Sequence, residues 1–129
     1  MKIGKLELRN FRSYEHLRLA VPATGLVFLG PNGCGKTNIL EAIYYFRYGK
    51  SFRATQEREA IRFEHDGFEV RATFVRNEQP VPAVIRFDKK QGKFIELNHV
   101  MIKRIQDFIG NLFIFYFSPS DIAIVQGAP

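Results

Sequence analysis

The sequence predicts an α/β fold in which a glycine-rich loop joins a central strand to the first helix. Three observations support this class. A short apolar run at 26–29 precedes the loop, apolar residues at spacings of three and four follow it, and alternating strand patterns occur on both sides of this unit. We therefore expect a mixed central sheet together with an antiparallel β-hairpin region.

The N-terminal segment has the alternation of two amphipathic strands. Over residues 2–8, Leu6 and Leu8 face one side while polar residues face the other. Residues 10–14 have the character of a turn, and the alternation resumes over 16–21. The apolar run at 26–29 is typical of a strand that is buried on both faces.

The remainder of the chain predicts further elements without a repeat, a low-complexity tract or a linker. They are a helix over 37–47 that Gly49 ends, strands over 68–75 and 81–87 joined by a hairpin connection at 77–80, a strand over 94–97, a helix over 100–109 that Gly110 ends, and a central strand over 112–117. We therefore expect one α/β or α+β unit.

Composition places the chain among ordinary globular proteins. Its 129 residues correspond to about one domain, and 46% of them are apolar and 25% charged. The net charge of +6 fits either a polyanionic partner such as nucleic acid or a soluble domain that is merely basic. One cysteine cannot form an internal disulfide, and no signal-peptide or membrane-span pattern occurs, so we expect a cytoplasmic protein with no membrane partner.

Residues 30–37 match the phosphate-binding pattern G-x-x-x-x-G-K-[ST]. Its glycines permit positive φ and let backbone N–H groups point at phosphate oxygens. Lys36 would supply a charge for the outer phosphates, and the hydroxyl of Thr37 would ligate Mg²⁺. The predicted ligand is ATP or GTP with Mg²⁺, and the predicted loop residues are Gly30, Pro31, Asn32, Gly33, Cys34, Gly35, Lys36 and Thr37.

Two features of this motif leave alternatives. A helix N-terminus lowers the pKa of a thiol, which would make Cys34 reactive, but a small residue in a variable position is the favoured interpretation. Hydrolysis also needs an apolar strand that ends in aspartate. The stretch 84–88 is interrupted by Arg86 and falls in the expected hairpin, and 112–117 leads into Ser-Pro-Ser-Asp. We therefore predict no catalytic residue and no ATP hydrolysis by this chain alone.

Several segments carry a family resemblance: Leu-Glu-Leu-Arg-Asn-Phe-Arg-Ser-Tyr at 6–14, the loop at 30–37, and Asn-Ile-Leu-Glu-Ala-Ile-Tyr at 38–44. Together they resemble the head domains of ABC-type DNA-repair ATPases, the group that includes the structural-maintenance-of-chromosomes (SMC) proteins and the RecF family. The segments at 49–53, 109–112 and 117–127 are similar to the RecF family in particular. The resemblance implies that 1–129 is the N-terminal part of an ABC-ATPase-like head lobe, truncated before the Walker B strand, the signature motif and the second lobe.

The same resemblance implies a function in recombinational DNA repair and replication and in the SOS response to DNA damage. RecF-like proteins bind ATP and Mg²⁺, dimerise head to head around nucleotide, hydrolyse ATP weakly, and bind double-stranded DNA near gaps, where RecR and RecO act with them in RecA loading. By this resemblance Arg12 approaches the nucleotide and Asn38 joins the loop as a nucleotide-binding residue. The sensor of metal and γ-phosphate is either the segment 118–121 or Gln126.

Basic residues are concentrated in two stretches outside the phosphate loop. Residues 86–104 contain six basic and two acidic residues, and residues 47–62 contain five basic and two acidic residues. We predict that one or both face DNA phosphates, with a solvated hairpin tip as the alternative for Lys89 and Lys90. Three other kinds of protein stay open: another SMC-like head, a P-loop kinase, and an interaction module with a vestigial loop.

Overall fold

A computed structural model of the chain describes residues 2–22, 35–50 and 56–103. In chain order its elements are β1 (Lys2–Phe11), β2 (Tyr14–Ala20), α1 (Lys36–Tyr48), a short 3₁₀ helix (Glu57–Ala60), β3 (Gly67–Arg76), β4 (Gln79–Asp88), β5 (Gly92–Leu97) and β6 (Val100–Ile102). No helix among these residues is long and apolar enough to cross a membrane.

The described strands form one antiparallel sheet in the order β2–β1–β3–β4–β5–β6. Two-residue turns at Asn77–Glu78 and Asn98–His99 join β3 to β4 and β5 to β6, and all four of these residues have positive φ. Such turns follow the right-handed twist of the strands that they connect. The two hairpins therefore set the register of β4 against β3 and of β6 against β5.

One face of the sheet is apolar and packs against α1. The buried strand residues include Leu6, Leu8, Val70 and Ile85, and they meet Ala42, Tyr45 and Phe46 of the helix in one cluster. Aromatic rings join the two layers edge to face, with centroid distances of 5.9 Å for Phe11–Tyr45 and 5.3 Å for Phe46–Phe74. The sheet is therefore the support on which α1 is fixed.

Most of the elements predicted for the described residues are confirmed. Both N-terminal strands, α1 and the three strands β3, β4 and β5 are present, and Gly49 ends α1 with a φ of 72° and an N–H that donates to the carbonyl of Tyr45. The turn predicted at 10–14 is shorter, since β1 extends to Phe11 and β2 begins at Tyr14. The connection predicted at 77–80 is shorter for the same reason.

The predicted helix over 100–109 is wrong at its start. Residues Val100–Ile102 form β6, which pairs antiparallel with β5 through Leu97↔Val100 and Ile95↔Ile102. The turn at Asn98–His99 reverses the chain, and the backbone of β5 offers a strand partner that outweighs a weak helical spacing. Residues 104–109 of that helix and the predicted strands at 26–29 and 112–117 lie outside the described residues.

Candidate nucleotide site and charged sheet face

The N-terminus of α1 is the part of the predicted phosphate loop that the structure describes. Gly35 precedes the helix with a φ of +95°, a left-handed conformation that favours glycine, and no side chain caps the helix. The first turn contains no acidic residue, so no carboxylate of that turn neutralises the positive end of the helix dipole. This end of α1 has the polarity that a phosphate requires.

The structure describes only some of the other predicted loop residues. Thr37 is exposed in the first turn of α1, and Asn38 follows it half-buried. The side chain of Lys36 and the residues Gly30, Pro31, Asn32, Gly33 and Cys34 lie outside what the structure describes, as do both sensor candidates, 118–121 and Gln126.

The turn between β1 and β2 contacts the first two turns of α1 at three successive residues, which we call the turn–helix contacts. Arg12 binds Glu41, Asn38 donates an amide N–H to the Ser13 hydroxyl (2.9 Å), and the Tyr14 hydroxyl donates to the carbonyl of Gly35 (3.2 Å). The turn thus lies beside the helix end at which phosphate is expected. Arg12 and Asn38 were predicted for this site from the sequence. The contacts of Tyr14 and Glu41 were not predicted.

The contact between Arg12 and Glu41 is a bidentate ion pair. Arg12 Nε lies 2.9 Å from Glu41 Oε1, and Arg12 Nη2 lies 2.9 Å from Glu41 Oε2. The Glu41 side chain is completely buried, whereas that of Arg12 is 22% exposed. The hydrogen bonds to Glu41 raise the pKa of Arg12 above its ordinary value. An acidic residue among Ile39, Ala42 and Tyr45 on the apolar face of α1 is the signal by which this pair could have been found.

Residues 57–62 also support the turn. The backbone N–H of Arg12 donates to the carbonyl of Ala60, and the backbone N–H of Arg62 donates to the carbonyl of Asn10. Both distances are 2.8 Å. The guanidinium of Arg62 also donates to the carbonyl of Ser13 (2.6 Å). The turn is therefore hydrogen-bonded both to α1 and to this segment.

Asp88 is the last residue of β4, and its side chain stabilises the turn that follows. Its Oδ1 accepts the backbone N–H groups of Lys90 (2.8 Å) and Gln91 (3.0 Å), and these bonds lower the pKa of its carboxyl. β4 lies between β3 and β5 in the antiparallel sheet, so the expectation that 84–88 falls in a hairpin is confirmed. Among the described residues no group of three or more His, Cys, Asp or Glu side chains is placed to hold a metal ion.

The structure shows which residues of the predicted basic stretches form ion pairs and which are exposed. Arg86 pairs with Glu69 (2.9 Å), and Lys93 pairs with Glu57 (2.7 Å) beside the C-terminus of α1. Arg86 and Lys93 are themselves exposed, as are Lys50, Arg58, Lys89, Lys90 and Lys103. Arg53 and Arg104 lie outside the described residues.

The sheet face opposite the apolar cluster carries a charged ladder that sequence analysis missed. Glu7 of β1 pairs with Arg18 (2.8 Å) and Arg9 (3.7 Å), and Glu69 of β3 pairs with Arg71 (2.7 Å) and Arg86. Four arginines thus surround two glutamates, and the ladder is net positive. Its members come from four strands, so only the register of the sheet brings them together.

The motif at 30–37 and the left-handed Gly35 at the start of α1 are typical of a P-loop ATPase domain. The chain belongs to the AAA domain family, whose match covers residues 5–118. It is similar to the DNA replication and repair protein RecF of Oceanobacillus iheyensis, with 37% identity over 129 residues, which is 100% of this chain and 35% of that protein. The chain therefore spans about a third of the length of the curated relatives that it matches.

Solved structures agree with this assignment. The recombination mediator protein RecF, solved with ATP, superposes with a TM-score of 0.79 at 26% identity, over 95% of this chain and 34% of that one. An SMC head bound to the C-terminal winged-helix domain of ScpA superposes with a TM-score of 0.69 at 27% identity, over 84% of this chain and 39% of that one. The predicted resemblance to RecF and the predicted fold class, a P-loop ATPase head lobe, are confirmed.

The buried ion pair predicts a specific pattern of stability. Arg12→Leu should lower the free energy of unfolding by about 3 kcal/mol, because it leaves the buried Glu41 carboxylate without its partner. The double variant Arg12→Leu/Glu41→Leu should recover at least half of this loss. Urea unfolding measures both values, and Arg86→Leu, which breaks an exposed pair, should cost less than about 1 kcal/mol. Equal losses in the single and double Arg12 variants would contradict the assignment.

The charged ladder predicts a pH dependence of stability. Hydrogen bonds from His16 and, to a smaller extent, from Arg18 lower the pKa of Glu7 from 4.5 to about 2. Between these values the unfolded chain binds more protons, so the stability due to Glu7 is complete above pH about 4.5 and is lost as the pH falls towards 2. Unfolding free energies measured from pH 6 to 2.5 should therefore fall less steeply in Glu7→Gln than in the wild type. Parallel curves would refute this role of Glu7.

Proposed function

We propose that the chain is the nucleotide-binding part of a RecF-like protein of DNA replication and recombinational repair, and that it binds ATP with Mg²⁺. The observation that carries the proposal is the motif at 30–37, whose final glycine is left-handed at the uncapped start of α1. The RecF relatives, one of them solved with ATP, support the choice of nucleotide.

Each predicted site residue has a role in this proposal. The loop from Gly30 to Gly35 surrounds the phosphates with backbone N–H groups, and Lys36 neutralises the outer phosphates. Thr37 is exposed at the start of α1, and its hydroxyl is a suitable Mg²⁺ ligand there. Asn38 and Arg12 are the two remaining nucleotide-binding residues of this proposal. The Mg²⁺ ion would neutralise phosphate charge when bound.

The wider function is proposed for the whole protein that contains such a chain. It binds double-stranded DNA near gaps in an ATP-dependent way, dimerises head to head around nucleotide, and acts in the cytoplasm with RecR and RecO. We assign residues 1–129 to the N-terminal part of the ATPase head. The net charge of +6 and the excess of arginine on the outer sheet face support the DNA partner.

The nucleotide proposal is tested by Lys36→Ala. This variant should weaken ATP binding in the presence of Mg²⁺ at least about tenfold, because the outer phosphates lose a charge-assisted contact. Isothermal titration calorimetry measures the affinity, and ATP-dependent binding to gapped DNA should fall in parallel. Unchanged ATP affinity would instead support an interaction module with a vestigial loop.

A matched control separates the loss of this contact from the loss of a lysine in general. Lys50→Ala removes an exposed lysine just beyond the C-terminus of the same helix. It should bind ATP as the wild type does. An equal loss of affinity in both variants would mean that net charge, rather than the motif, determines binding.

The DNA surface is tested at the β4–β5 turn. Lys89→Gln/Lys90→Gln should reduce the slope of log affinity against log salt by about 1 to 2, since each phosphate contact on B-DNA contributes about 0.9. Lys93 is left intact because it pairs with Glu57.

The control for this experiment is Lys2→Gln/Arg76→Gln, which removes the same charge from exposed residues at the end of the sheet opposite the β4–β5 turn. Its slope should equal that of the wild type. A slope that does not change in the Lys89→Gln/Lys90→Gln protein would exclude this turn from the DNA contact surface. Fluorescence anisotropy on a gapped duplex from 50 to 300 mM salt provides the slopes.

A further inference from the structure

The carbonyl of Gly35 accepts two hydrogen bonds from different parts of the chain. One comes from the backbone N–H of Ile39 (3.2 Å), the first helical bond of α1. The other comes from the hydroxyl of Tyr14 (3.2 Å), a residue that lies 21 positions earlier and begins β2. Two donors therefore hold the orientation of one peptide group, the one that links Gly35 to Lys36.

The orientation of this peptide group determines where an N–H of the phosphate loop points. In a trans peptide the C=O and N–H bonds point in opposite directions, and the described chain contains no cis peptide. Because the Gly35 carbonyl points along α1 towards Ile39 and Tyr14, the N–H of Lys36 points away from the helix. It is one of the N-terminal amides that an anion would bind.

The position of Tyr14 is itself determined by its neighbours. Tyr14 pairs with Phe11 across the β1–β2 turn, and Phe11 is completely buried. The turn–helix contacts of Arg12 and Ser13 attach the same turn to α1. The phenol ring is therefore attached to a turn that has little freedom to move relative to the helix.

The contact also explains why a glycine is required before α1. A Cβ atom added to Gly35 would lie 2.7 Å from the Tyr14 hydroxyl oxygen and 3.1 Å from the Ser13 hydroxyl oxygen. Any larger residue would therefore displace Tyr14, in addition to the strain of a positive φ. The Tyr14 hydroxyl oxygen takes part in both the close approach and the hydrogen bond.

We propose that Tyr14 is a positioning residue of the nucleotide site: its hydroxyl orients the Gly35–Lys36 peptide so that the Lys36 N–H faces the phosphates. The inference rests on the proposed function and adds to it a residue outside the phosphate-binding motif. Tyr14 acts through the backbone of the loop and touches no ligand. Its effect is therefore on the phosphate groups and is independent of the base.

The test is Tyr14→Phe, which removes only the hydroxyl. Its affinity for ATP with Mg²⁺ should fall about three- to tenfold, the effect of one hydrogen bond. Tripolyphosphate, which has no base, should lose affinity by the same factor. Both affinities are measured by isothermal titration calorimetry on the purified protein.

Tyr45→Phe is the matched control. Tyr45 is buried on the same helix, and its hydroxyl donates to Glu57 (2.8 Å), which follows the C-terminal end of α1. This variant removes a hydrogen bond and lowers the melting temperature, but its ATP affinity should stay within about twofold of the wild type. An equal loss of affinity in Tyr45→Phe would overturn the proposal, because general destabilisation would then explain both variants.

A second measurement reports the peptide group directly. The amide ¹⁵N and ¹H resonances of Lys36 should shift in Tyr14→Phe without ligand, and their further shift on adding tripolyphosphate should be smaller than in the wild type. Unchanged ATP affinity in Tyr14→Phe, or a loss for ATP without a loss for tripolyphosphate, refutes the positioning role. If wild-type protein and Lys36→Ala bind ATP equally, the proposed function fails. If Lys36→Ala weakens ATP binding but Tyr14→Phe binds ATP as tightly as the wild type, the proposed function stands and this inference fails.

Discussion

The bidentate ion pair between Arg12 and Glu41 is the interaction on which the geometry of the candidate site depends. Glu41 is completely buried, and a buried carboxylate is tolerated only where it is paired and hydrogen-bonded. The pair therefore requires the β1–β2 turn to lie against α1. Once the turn is there, Ser13 reaches Asn38 and Tyr14 reaches the carbonyl of Gly35. A contact with the second turn of α1 thus determines the position of the residues that hold Gly35, the last glycine of the motif.

The antiparallel sheet makes this arrangement possible by separating two kinds of surface. Its inner face holds α1 through aliphatic residues and edge-to-face aromatic contacts, which resist a shift of the helix. Its outer face carries the ladder of arginines around Glu7 and Glu69. Since successive strand residues face opposite sides, the same strands contribute to both surfaces. Nucleotide binding and the proposed DNA binding would therefore use different faces of one support.

The site residues fall into groups that sequence analysis could and could not identify. The phosphate motif is contiguous, so its chemistry follows from residue types and spacing, and a left-handed Gly35 before α1 agrees with it. Arg12 was included because its segment resembles the RecF and SMC heads. Glu41, Tyr14 and Arg62 were not included, because each acts through a partner at least 21 residues away in sequence. Asp88, which was considered as the acidic end of a strand, accepts two backbone N–H groups of the turn that follows β4.

The sequence by itself determined the local features of this protein. Alternation identified the strands, apolar spacing and Gly49 defined α1, and the motif at 30–37 indicated phosphate binding. Only the tertiary structure decided which strands are neighbours, that Val100–Ile102 joins the sheet, and that Arg12 meets Glu41 over a separation of 29 residues. The physical reason is that periodicity and turn chemistry act over a few residues. Strand register and buried ion pairs depend on the free energy of packing the whole chain.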